Sequence, residues 1–82
     1  MIKEVLKMNY SFKELALLME VSYKTIRNEV LENNELMSKL KEKGWRRYKR
    51  FRKSHVLEIF KVMGYPNGYE HYEHYEKEIY DD

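Results

Sequence analysis

The 82-residue chain contains no cysteine, one proline and three glycines. The first absence excludes a disulfide framework and any thiolate zinc site, and with them zinc fingers and dithiol redox chemistry. It suits a reducing compartment, so a cytoplasmic protein is expected. Long apolar runs are missing too. The longest, Leu15 to Met19, is far short of the ~18 residues that a membrane span needs, and the amino terminus has no signal-peptide core. Nucleophile elbow, phosphate loop and zinc signature are all lacking, and the carboxylates lie among lysines rather than as an isolated pair. Neither an enzyme nor a cofactor is expected. Leu, Ile, Val and Phe make up only 20 of the 82 residues, just above the ~20% below which charged chains stay disordered. The chain should fold as one small domain, with little to spare and no large enclosed cavity.

What is abundant is charge, unevenly spread. The net charge of +2 hides a block at residues 39–53, where Lys39, Lys41, Lys43, Arg46, Arg47, Lys49, Arg50, Arg52 and Lys53 face only Glu42, and an acidic end at residues 65–82. A block of +8 in fifteen residues repels itself unless a polyanion is near, which makes nucleic acid the first partner to consider. The plainer alternative is a solvated loop. Against it, Trp45, Tyr48 and Phe51 recur every three residues within the block, and aromatics are costly to leave exposed for solubility alone. Trp45 either stacks on a base or belongs to the core, the commoner place for a lone tryptophan.

Local signals are mostly helical. Ser11-Phe12-Lys13-Glu14 reads as a capping box, flanked by Tyr10 and Leu15 as a hydrophobic staple, which predicts a helix over about 12–19. Ser22 can cap a second over about 23–32. So short a turn forces the two to cross steeply, as in a helix-turn-helix. A third is predicted over about 35–42, stopped by a left-handed Gly44. Trp45 to Lys53 is ambiguous, with a short two-stranded wing as the preferred reading, although no Asn-Gly or Asp-Gly turn is present to close it. Ser54 to Met63 returns to helix with apolar residues on more than one face, which places it either at the centre of the core or against a second copy in a homodimer. The segment before Asn9 could be helix or strand. The turn-rich 64–68 stretch divides a domain at 1–66 from an acidic Tyr/Glu/His-rich tail at 67–82. Within that tail His71 and His74, with Glu70, Glu73 and Glu78 nearby, supply too few neutral ligands for a closed metal site, and none is expected.

The run from Ser11 to Arg27 resembles the helix-turn-helix of winged MerR-like and excisionase-type proteins, with a small residue (Ala16) in the first helix, Val21-Ser22 at the turn and Thr25-Ile26-Arg27 in the recognition helix. Residues 47–66 resemble the wing and following helix of small DNA-binding proteins of phages and mobile elements. Glu20 stands where many such sequences have glycine, and Glu29 where they have an apolar residue. The resemblance implies a mainly α fold, a winged helix-turn-helix of about four helices with at most a small hairpin. It also implies duplex DNA as partner and a role as transcriptional regulator or excisionase-like factor.

The residues agree on their own account. With Ile26 and Val30 facing inward, Tyr23, Lys24, Arg27 and Asn28 are left on the outer face of the second helix. Arg27 suits guanine O6 and N7, and Asn28 suits adenine N6 and N7. Arg46, Arg47, Lys49, Arg50, Arg52 and Lys53 suit phosphates, adding affinity more than sequence preference. The alternative is a phage-type inhibitor, anti-CRISPR-like, that uses the same basic patch on RNA or on a nucleic-acid-processing host protein. The two misfit glutamates and the acidic, tyrosine-rich tail suit such protein contact.

Overall fold

Helix α1 (Phe12–Met19) starts where its capping box forms. The Ser11 hydroxyl accepts the Glu14 N–H at 3.1 Å, and a Glu14 carboxylate oxygen accepts the Ser11 N–H at 2.9 Å. It ends as Glu20 turns left-handed (φ 57°, ψ 41°), with the Glu20 N–H reaching the Leu17 carbonyl and the Val21 N–H the Ala16 carbonyl. Those two bonds satisfy carbonyls that the helix end would leave open, which makes this a Schellman turn. Helix α2 (Tyr23–Glu32) then opens on Ser22, whose hydroxyl accepts the Thr25 N–H at 3.1 Å. Asn33 closes α2 and caps α3 (Asn34–Glu42) by accepting the Leu36 N–H. A second Schellman turn ends α3. Gly44 has φ 87°, its N–H bonds to Lys41, and the Trp45 N–H bonds to the Leu40 carbonyl.

This computed structural model describes residues 4–46 and 49–74. Over the described residues it is mainly helical, with four α-helices and one two-stranded antiparallel sheet. The sheet is not a wing folded within residues 45–53. Strand β2 (Phe51–Arg52) pairs instead with β1 (Asn9–Tyr10), in the register Asn9 to Arg52 and Tyr10 to Phe51. The physical reason lies in the basic segment itself, which has no turn residues to bring two of its own strands together, while two of its aromatics are drawn inward. Trp45 and Phe51 are 1% and 0% exposed and stack at 5.0 Å. The rings of Phe12 and Phe51 meet in a T at a centroid distance of 5.0 Å. The Trp45 indole N–H donates to the Lys49 carbonyl, so its burial leaves no donor unmet.

Helix α4 (Lys53–Met63) runs through the middle of this core, with every residue from His55 to Phe60 buried. Burial on all sides within one chain explains why its apolar residues cover more than one face. His55 fastens the start of α4. Its Nδ1 accepts the Arg52 N–H at 2.9 Å and its Nε2–H donates to the Lys43 carbonyl at 2.9 Å, which requires the neutral ring and ties α4 to the end of α3. The 67–82 segment begins inside the fold rather than outside it. A 3-10 turn at Glu70–His74 seats Tyr72 at 7% exposure, where its hydroxyl accepts the Leu6 N–H from 66 residues away, and the Glu4 N–H bonds to the Gly68 carbonyl. Tyr69 packs edge-on against Phe60.

Candidate nucleic-acid interface

Ile26 and Val30 are fully buried, and the inward pull of these two residues turns Tyr23, Lys24, Arg27 and Asn28 to the solvent side of α2. All four are exposed. Arg46, Lys49, Arg50 and Arg52 are exposed as well, whereas Lys53, in the first turn of α4, is half-buried; Arg47 lies outside the described residues.

Two segments far apart in sequence meet on this face. A cleft of about 350 Å³ between α2 and the basic segment is lined by Phe12, Tyr23, Arg27, Leu31, Lys49 and Arg50. Phe12 forms an aromatic corner there, its ring edge-on to Tyr23 at 6.2 Å. A second, wider cleft of about 530 Å³ is lined by Met8, Asn9, Lys49, Arg50 and Arg52. Lys49 and Arg50 line both clefts, so five expected contact residues, Tyr23, Arg27, Lys49, Arg50 and Arg52, border one continuous cationic surface. Lys24, Asn28, Arg46 and Lys53 line neither cleft. No family model, curated protein or solved structure matches the chain.

Two features shape this face, the first being that Trp45 takes the core place rather than the stacking one. Trp45 and Phe51 belong to the core, so neither ring is free to stack on a base; Tyr48 lies outside the described residues. Trp45 and Phe51, two of the spaced aromatics of the basic block, therefore serve packing. The second feature is an anion among the cations. Glu14, read in the sequence only as a cap, accepts the Lys7 ammonium at 2.6 Å and pairs with the Arg50 guanidinium, while Arg50 Nε donates to the Asn9 side-chain oxygen. The hydrogen bond from Lys7, with that from the Ser11 N–H, holds the Glu14 carboxyl down at about 2 against the opposing effect of desolvation, and the charges of Arg50 and Lys7 add smaller contributions in the same downward direction. Nothing in the local pattern signals this cluster. Among the described residues no group of three or more His, Asp or Glu converges as a metal site requires, and no helix is long and apolar enough to cross a membrane.

Proposed function

We propose that the chain is a small helix-turn-helix protein that binds duplex DNA, presenting α2 to the base edges and the 46–52 segment to the phosphates, as a regulator or excisionase-like factor of a phage or mobile element does. The observation that carries the reading is the meeting of Tyr23 and Arg27 with Lys49 and Arg50 across one cleft. A helix bearing base-reading side chains then lies beside a band of sequence-blind cations, the division of labour that groove recognition uses. Two further facts support it. The close turn between α1 and α2 has a left-handed residue at Glu20, the position where helix-turn-helix sequences more often have glycine, so glutamate there is compatible with such a turn. Arg27 carries the guanidinium fork that pairs with a guanine edge and Asn28 the amide fork that pairs with an adenine edge, each worth about 1–3 kcal/mol of discrimination.

The test is a titration of a labelled duplex by fluorescence anisotropy across roughly 50–200 mM salt. Neutralising about five phosphates gives a log–log slope of about −4 to −5. Changing Arg27 and Asn28 together to alanine should erase preference among sequences selected by the wild type, whereas changing Lys49 and Arg52 to alanine should weaken all sequences alike. A flat salt response refutes the reading. Equal, sequence-blind losses from both pairs favour RNA or a host protein as the partner instead.

A further inference from the structure

Arg50 borders both clefts, but its charge is already engaged. Its guanidinium NH2 group pairs with Glu14, and its Nε donates to the Asn9 side chain 41 residues away. The other Glu14 oxygen takes the Lys7 ammonium, which also lies 4.9 Å above the Tyr10 ring. Three chain segments thus converge on one carboxylate: the stretch before β1, the start of α1 and the residue before β2. Because Lys7 is outside the +8 block, charge counting along the chain does not find it.

We propose that Lys7, Asn9 and Arg50 form a phosphodiester site whose resident counter-ion is the Glu14 carboxylate, displaced when a nucleic-acid strand binds. This rests on the nucleic-acid reading above and names a site within it. Carboxylate and phosphate oxygens are interchangeable partners for an arginine fork and a lysine ammonium. The exchange is inexpensive, because the side chains of Lys7, Arg50 and Glu14 are 54%, 53% and 35% exposed, and ion pairs in such contact with water are weak. It also leaves the scaffold in place. Asn9 keeps its hold on Arg50 Nε while the NH2 group changes partner, and the Tyr10 ring stays beneath Lys7; the Glu14 oxygen facing Arg50 also accepts the Ser11 N–H, so the carboxylate gives up the guanidinium by turning about its own cap at the start of α1. The site is therefore assembled before the ligand arrives, which lowers the ordering cost of binding. Glu14 in turn sets a threshold: an isolated anion must displace a carboxylate tethered nearby, whereas a strand that touches Arg27, Lys49 and Arg52 at the same time outcompetes it.

Glu14→Gln is the direct test, since glutamine still serves at this position of a capping box. At low salt the variant should bind a mixed-sequence duplex about three- to tenfold more tightly than the wild type, the range expected on releasing two exposed ion pairs. The advantage should shrink as salt screens the competition. Adding Arg50→Met to Glu14→Gln should remove the gain. Equal or weaker binding by a Glu14→Gln protein whose far-UV spectrum matches the wild type overturns the proposal. Should that variant not fold, Lys7→Met decides, because Lys7 is exposed and caps nothing: a loss of about two- to fivefold with a salt slope smaller by about one supports the site, and unchanged affinity and slope overturn it. A wild type that binds duplex normally, combined with unaffected variants, refutes this site alone; a wild type that binds no nucleic acid refutes the parent reading with it.

Discussion

Two helices of this fold end in the same turn, one with a glutamate and one with a glycine at the left-handed position, and exchanging residue types there should move stability in opposite directions. Glu20 sits at φ 57° and Gly44 at φ 87°, each followed by the paired hydrogen bonds of a Schellman turn. An L-residue held left-handed costs roughly 1–2 kcal/mol, because its Cβ crowds the following carbonyl. Glycine avoids that strain but loses roughly 0.5–1 kcal/mol more backbone entropy on folding. Glu20→Gly should therefore stabilise by about 0.5–1 kcal/mol, and Gly44→Ala should destabilise by a similar amount. At Gly44 the arithmetic is clean, because an added Cβ would meet nothing within 4 Å and only the backbone strain remains. For a domain of this size each kcal/mol moves Tm by roughly 4–8 °C, so the two variants should separate by roughly 4–16 °C about the parent in thermal melts followed by far-UV circular dichroism. Glu20→Gln is the control: it keeps the strain and removes only the negative charge from the α1 carboxyl end, a gain of a few tenths of a kcal/mol. If Glu20→Gly melts no higher than Glu20→Gln, Glu20 is not held left-handed and the turn joining α1 to α2 is wrong. That result would also remove the geometry on which the DNA-binding reading depends.

Three other outcomes are expected. Ala16 is 5% exposed on α1, the helix that packs against α2; Ala16→Leu should cost about 1–3 kcal/mol by overpacking, and a urea midpoint equal to the parent's would show that the two helices do not meet there. His55→Leu should destabilise by about 2–4 kcal/mol, since the Arg52 N–H and the Lys43 carbonyl each lose their partner, and a parent-like denaturation curve would exclude the bridge between α3 and α4. The Glu14 carboxyl titrates at about 2 in the fold against 4.5 ordinarily, so the unfolded chain binds more protons between those values. The contribution of Glu14 to stability is therefore complete above about 4.5 and lost as pH falls through about 2, and Glu14→Gln should flatten that part of the Tm–pH profile relative to the wild type.

Helix limits are legible in this sequence because caps act within four residues. Ser11 with Glu14, Ser22 with Thr25 and Gly44 after α3 are local devices, and the first two helices span 12–19 and 23–32 as their caps require. The solvent side of α2 follows from the same locality, since Ile26 and Val30 one turn apart must share the buried face. Pairings across long stretches of chain were decided only by the tertiary structure. The partner of Phe51–Arg52 is Asn9–Tyr10 rather than a neighbour in the basic block, Trp45 and Phe51 serve the core rather than a base, and Tyr72 returns to bond the Leu6 N–H. The candidate site divides in the same way. Its cations and exposed helix face follow from charge counting and helical period, but Lys7, Asn9 and Glu14 join it only because β1 lies against β2, bringing Asn9 and α1 next to Arg50. Contacts of that kind depend on where the apolar residues between them are buried, a property of the assembled core that no local window of residues contains.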